Sequence, residues 1–390
     1  MDAPLIASPL GVMTTLCGIC AFWFYLQKFT GARLFDYLPP LIWIYATPVI
    51  LSNTGILASS SEAYTGLRTY ALPLFIVLML IYVNVPAAVR VMGKGVLVML
   101  MGTIGIVVGG VASYAVVHPW LDESAWGGYG ALAGSWIGGT GNMAAASEAL
   151  GTEPGQFGLA VLADNVIYVA WLPLLLGSKA FAERFNRWAR VPPDRLANME
   201  AAAAAETTEE RPNVFQDFLY LALVALAVAW LADLIAGRLP VIDPILSTST
   251  WKILLVTTFA LILSVTPLSR IPGGKAVATA IIYVFVASMG ARASLENLGD
   301  APVFIAGAFL WIAIHGAFCL FGAWLFKVDV HSTAIASAAN VGGAASAPVV
   351  AAYHKESLVP VSILMALIGY ALGNYLAILT GQLARIVGGG

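Results

Sequence analysis

Apolar residues in this chain come in runs of about twenty, the length that carries an α-helix across a hydrocarbon core. By that criterion spans are predicted near residues 7–27, 37–57, 69–86, 95–117, 155–177, 214–236, 251–267, 275–292, 301–326 and 358–384. Two further apolar segments, 129–150 and 331–353, are rich in Gly, Ala, Ser and Asn. The one long polar stretch, Lys179 to Asn213, divides the chain into halves of similar size, 1–178 and 214–387. In each half closely spaced spans precede a Gly-rich segment and a single span closes the half, a layout that reads as duplication. The expected fold is an all-α polytopic membrane protein of two inverted repeats, about five transmembrane helices each, with a broken or re-entrant segment in each repeat.

Positive charge chooses between re-entry and crossing. If both Gly-rich segments cross, the better orientation puts 11 Lys and Arg inside and 8 outside. If both return to the side they entered, 14 lie inside and 5 outside. The positive-inside rule favours the second arrangement, with the linker 179–213 cytoplasmic and the halves oppositely oriented. A segment of about 22 residues is nonetheless long enough to cross as an unwound helix.

Composition narrows the class. With 60% apolar and 10% charged residues in 390, this is not an ordinary soluble protein. A net charge of −2 says nothing about nucleic acid, but no basic tract of the kind that tracks phosphates is present, so no nucleic-acid partner is expected. Cys17, Cys20 and Cys319 fall within predicted spans and imply neither disulfides nor a tetrahedral metal site. With no paired His/Glu signature, nucleophile elbow or phosphate loop, the reading is not an enzyme and needs no cofactor. Two dissimilar polar half-sites likewise argue against a channel.

The candidate chemistry sits in the Gly-rich segments. Gly138, Gly139, Thr140, Gly141 and Asn142 are followed by Ser147 and Glu148. Glycines so close loosen a helix and bare backbone that lipid does not hydrogen-bond, so such backbone is expected to line a protein cavity. The structural reading is a helix-packing face of small residues. The second segment offers Asn340, Gly342, Gly343 and Ser346. Its freed N–H groups suit an anionic solute group at a half-helix N-terminus. Asp164 lies about ten residues into its span, where a charge costs about 2.5–3.5 kcal/mol and needs a partner. Asn165 and Tyr168 follow it, and Tyr370 and Asn374 hold similar places in the last span. Amide, hydroxyl and carboxylate oxygens suit a hard cation, so Asn142, Asp164 and Asn340 are candidates to ligate sodium, with a proton as the other coupling ion. The blander alternatives are Asp164 as a structural cap, Glu148 reaching an interface, and His315 satisfied by a neighbouring carbonyl.

The run GGTGNMAAASEALG from Gly138 to Gly151, followed by LADNVIYVAWLPLL from Leu162 to Leu175, resembles the bacterial and plastid membrane family catalogued as domain of unknown function 819 (DUF819). That family is similar to a superfamily of cation:proton antiporters and of bile-acid and glutamate sodium symporters. The resemblance implies an inverted repeat with broken elements crossing at the centre, a homodimer, and elevator-like movement of a core against a scaffold. Antiporters of that superfamily carry Asp-Asp or Asn-Asp where this chain has Asp164-Asn165. That departure favours a sodium-coupled symporter of a small organic solute in a bacterial inner membrane over a monovalent cation:proton antiporter.

Overall fold

A few helices are bounded by recognisable caps, and proline opens several others. The structure, a computed structural model, describes residues 4–32, 34–195, 199, 201, 212–242, 246–293 and 299–389. Arg33, Arg211 and most of the linker's alanine run lie outside the described residues. The first helix, α1 (Pro9–Thr30), begins where Ser8 accepts a hydrogen bond from Gly11 N at 3.2 Å and ends at Gly31, which is left-handed. It is followed by α2 (Pro40–Asn53), α3 (Glu62–Leu80) and α4 (Lys94–Val117). Then come the half-helices α5 (Ala125–Gly138) and α6 (Thr140–Leu150), and the closing helix α7 (Pro154–Gly177). The same order recurs after the linker: α8 (Phe215–Ala236), α9 (Thr248–Ser264), α10 (Gly274–Ala291), α11 (Ala301–Phe326), the half-helices α12 (Val330–Val341) and α13 (Gly343–His354), and α14 (Val359–Val387). Among the described residues, eight helical stretches are long and apolar enough to cross a membrane.

All ten expected spans are helices, and the third shows the largest displacement. It starts at Glu62, earlier than the apolar run, because Ser61 caps it by accepting from Ala63 N at 3.2 Å. Its first half contains a π-helical turn, Leu67–Ala71, which carries Arg68. It ends before Pro86, whose ring opens a separate short helix, Val85–Met92.

Each Gly-rich segment is a helical hairpin. Gly134 lies so close to the opposite arm that an added methyl would sit 2.7 Å from Asn142 O, and Leu150 packs on Gly130. Thr152 Oγ1 donates to Gly127 O at 3.1 Å across the open end. Hairpin 1 (α5–α6) thus doubles back at Gly139, whose φ of +79° is open to glycine and costly to other residues. In hairpin 2 (α12–α13), His331 Nδ1 and His354 Nδ1 approach to 2.9 Å across the open end. Its turn is at Gly342 and Gly343, the latter with φ +58°. Both segments therefore return to the end of the bundle they entered. The crossing of broken elements implied by family resemblance is not what forms: in hairpin 1 Gly130 and Gly134 let the antiparallel arms touch, and in hairpin 2 the chain turns back at Gly342 and Gly343.

The hairpins enter from opposite ends. The loop leading into hairpin 1 meets the start of α11, where Asp122 N donates to Asp300 Oδ2 at 3.0 Å, and Arg385 near the end of α14 lies 4.9 Å over the Trp126 ring. The open end of hairpin 2 meets the end of α7, where His354 Nε2 is 2.9 Å from Leu175 O.

The helices sort into two bodies. The core comprises α4, α7, α11, α14 and both hairpins, packed chiefly on one another. Its tightest seam, α4 on α11, uses Gly102, Gly105 and Gly109 to seat Cys319, Phe318 and Trp311. The scaffold comprises α1–α3 and α8–α10, again packed chiefly among themselves.

Candidate functional site

The hairpin tips meet at Tyr370. A Cβ on Gly343 would be 3.7 Å from Gly139 Cα and 3.7 Å from Tyr370 Oη, and one on Gly139 would be 3.4 Å from Tyr370 Cε1. Tyr370 Oη accepts a 3.3 Å hydrogen bond from Ala344 N, an N–H in the first turn of α13. Neither α6 nor α13 has a side-chain cap, so the positive ends of two helix dipoles converge here.

Around this point the sequence-selected residues fall into separate groups. Asn142, buried, donates from Nδ2 to Tyr370 O at 3.1 Å and to Asn374 Oδ1 at 2.8 Å. Asn374 Nδ2 in turn donates to Thr257 Oγ1 of the scaffold at 2.7 Å. Gly138 lies over Gly369, Gly373 over Asn142, and Gly141 against Phe75 of α3. Thr140 opens α6 at the tip. On the other tip, Ser346 lies beside Gly342 and is hydrogen-bonded with Tyr168. Asp164 is held from hairpin 1: Ser135 Oγ donates to Oδ2 and Trp136 Nε1 to Oδ1, each at 2.9 Å. Those two donors face one carboxylate because they are neighbours in the last turn of α5, just ahead of the tip.

Other candidates point elsewhere. In the orientation that satisfies its whole amide, Asn340 donates to Met99 O and Ala336 O, each at 3.1 Å, and accepts from Thr103 Oγ1 at 2.9 Å. Its side chain therefore braces hairpin 2 against α4. Asn165 donates to Val161 O at 2.7 Å, within its own helix. Glu148 is two turns from the tip and forms an ion pair with Arg68 of the π turn, a contact between core and scaffold. Ser147 Oγ is buried without a hydrogen-bond partner. His315 is satisfied as the blander reading expects, with Nδ1 2.9 Å from Gly102 O and Nε2 2.9 Å from Ser337 Oγ. The three candidate sodium ligands thus make their hydrogen bonds to different elements: Asn142 to α14, Asp164 to α5, and Asn340 to α4 and its own helix. The Asn340 amide oxygen is engaged by Thr103 of α4.

Sequence reasoning missed Ser135, Trp136 and Thr257. The first two stand inside the Gly134 to Gly151 stretch, one turn before its glycines, and Thr257-Thr258 is a hydroxyl pair inside an apolar run. Both threonines bridge the bodies, since Thr258 Oγ1 lies 2.7 Å from Tyr375 Oη of α14. Tyr45 Oη to Pro154 O and Thr250 Oγ1 to Ala149 O, both 2.8 Å, complete the polar seam.

Comparison with known proteins adds two findings. A family model described as "Protein of unknown function (DUF819)" matches residues 14–387. The chain is also 27% identical, over 353 residues, to the "Uncharacterized membrane protein YjcL" of Bacillus subtilis (strain 168), spanning 86% of this chain and 87% of that relative.

Proposed function

The chain belongs to the DUF819 family of membrane proteins, and from the way its two hairpins meet we propose that it is an ion-coupled secondary active transporter of a small organic solute. The observation that carries this reading is the meeting of two glycine tips, entered from opposite ends, beside a partly buried carboxylate. In a transporter the site opens to each side in turn, and bound ligands shift which state is populated. The solute docks beside the meeting tips, an anionic group of it facing the uncapped starts of α6 and α13. The division into core and scaffold supports elevator-type movement, with the seam of single hydrogen bonds and one ion pair breaking and re-forming as the core slides. We read the two halves as inverted repeats, the protein as a homodimer in a bacterial inner membrane, and the linker as cytoplasmic.

Sodium is the preferred coupling ion. Asp164 and the Ser135 hydroxyl supply oxygens of the hard-cation type, and Asn142 and Asn374 supply amide oxygens nearby. If the coupling ion is instead a proton, Asp164 is the group that takes it, and the protein is closer to an antiporter. The test is thermal unfolding in detergent with sodium or potassium at fixed ionic strength, alongside counterflow of labelled solutes in proteoliposomes. Sodium should raise the midpoint, and Asp164→Asn should remove the rise. A midpoint that follows only pH overturns sodium coupling, and pH-gradient collapse on adding sodium alone, with no solute counterflow, overturns the symporter.

A further inference from the structure

A cavity lies away from the tips, on the flank of hairpin 2. It measures about 330 Å³ and opens between α7, α11 and α12. Trp171, Leu174 and Leu320 form its walls, and Phe181 and Phe185 form its roof. Its floor is Ser337, whose hydroxyl is already engaged: Trp171 Nε1 donates to it at 2.9 Å, and His315 lies at 2.9 Å. The lining therefore offers apolar surface and no unmet polar group for a hydrophilic ligand.

The roof is a short amphipathic segment that follows α7. Phe181, Phe185 and Trp188 fall on one side at helical spacing, the first and last of them exposed. Asn186 Oδ1 accepts from Val330 N at 3.0 Å, which fastens the segment to the start of hairpin 2. Residues 178–190 carry four basic side chains, Lys179, Arg184, Arg187 and Arg190, against one acid, Glu183. Arg184 and Arg187 are exposed. An apolar slot beside a half-exposed helix wall, with a basic rim at one end, has the layout of an amphipathic molecule with an anionic head. Leu174 and Leu320 are 63% and 49% exposed, so the slot is open toward the surrounding apolar phase.

We propose that this slot binds one acyl chain of an anionic membrane phospholipid, its phosphate held by Arg184 and Arg187, and that the bound lipid props the outer flank of hairpin 2. The proposal stands apart from transport, since its readout is binding and stability.

The experiment is thermal unfolding of the delipidated full chain in detergent, titrated with phosphatidylglycerol, with phosphatidylcholine of the same chains, and with glycerophosphoglycerol, which has the head alone. Native mass spectrometry counts the lipid retained. Phosphatidylglycerol should raise the midpoint by several degrees and remain bound as one molecule, phosphatidylcholine should do less, and the bare head nothing. Leu320→Trp, which fills the slot from a half-exposed position, should abolish the phosphatidylglycerol shift, and Leu174→Trp is the second filling variant should the first not fold. The double change Arg184→Ala with Arg187→Ala should bring phosphatidylglycerol down to the phosphatidylcholine level. Equal shifts in wild type and both filling variants, no preference for the anionic head, or a response to the bare head alone would each overturn the proposal.

Discussion

The two hairpins share a shape and differ in what grips them. Hairpin 1 is clasped: every residue of α5 except Trp126 is buried. Its second arm is tied to the scaffold through Glu148–Arg68 and Thr250–Ala149. Hairpin 2 is tied to its own body instead. Asp329 caps α12 by accepting from Ser332 N at 2.8 Å and pairs with Arg195 at 3.3 Å, while Ser337 and Asn340 reach α11 and α4. Its second arm leaves Val349 and Tyr353 more than half exposed. Glycine therefore does more work in hairpin 1, where Gly134 lets the arms touch and Gly139 turns the chain, than in hairpin 2, where Gly343 turns the chain with space around it.

The sharpest break in that comparison is a glycine swap. Gly134→Leu should separate the arms of hairpin 1, since even a methyl would lie 2.9 Å from Met143 Cα, and the loss should be about 3 kcal/mol or more, read as a collapsed unfolding midpoint. Next is the scaffold bond. Thr257→Val leaves a buried Asn374 donor unmet and should cost about 1–3 kcal/mol, with solute affinity falling too because Asn374 holds Asn142. Gly343→Ala meets nothing closer than 3.7 Å but stays left-handed at φ +58°, so it should cost about 1 kcal/mol of stability while transport falls several-fold. If the two glycine variants lose equal stability, the contrast between hairpins fails.

The smallest expected effect is at the loop before hairpin 1. The Ser124 hydroxyl and N–H both donate to Asp122 Oδ1, at 2.6 and 2.8 Å, and hold its carboxyl below the usual carboxylate range. A depressed folded pKa contributes stability that is present above the unfolded value, about 3.9, and is lost as pH falls through the folded one. Ser124→Ala removes one donor and brings the folded value closer to the unfolded one, so stability at neutral pH should fall slightly and the loss on acidification should shrink and finish at higher pH, by a small margin because the site is exposed. An unchanged acid limb would show that the loop's hydrogen bonds do not survive in solution.

Much of this architecture was legible in the chain. Long apolar runs locate all ten helices outside the hairpins because lipid favours that length, even where α2 and α9 come out shorter than the run, and the Lys and Arg distribution favoured re-entrant segments. Helix starts were harder: Ser61 moved α3 back by a turn or two, a capping effect that hydropathy does not carry. Side-chain direction was harder still. Asn142 and Asn340 stand in similar Gly-rich settings, yet one faces α14 and the other α4, because hairpin packing sets the rotation of each arm. Arg68 reads as a loop charge near a span end, and only the π turn and its approach to Glu148 put it in the seam between bodies. Ser135 and Trp136 became visible as partners of Asp164 only once α5 was seen to lie beside α7.

Everything above depends on the two hairpins dipping in from opposite faces, and labelling of exposed hairpin ends tests that most directly. With Cys17, Cys20 and Cys319 replaced, single cysteines are introduced as Glu153→Cys beside hairpin 1 and Glu356→Cys beside hairpin 2, and intact cells meet a membrane-impermeant thiol reagent. The account predicts that the first variant is labelled in intact cells and the second only after permeabilisation. Labelling of both from the same face would contradict it.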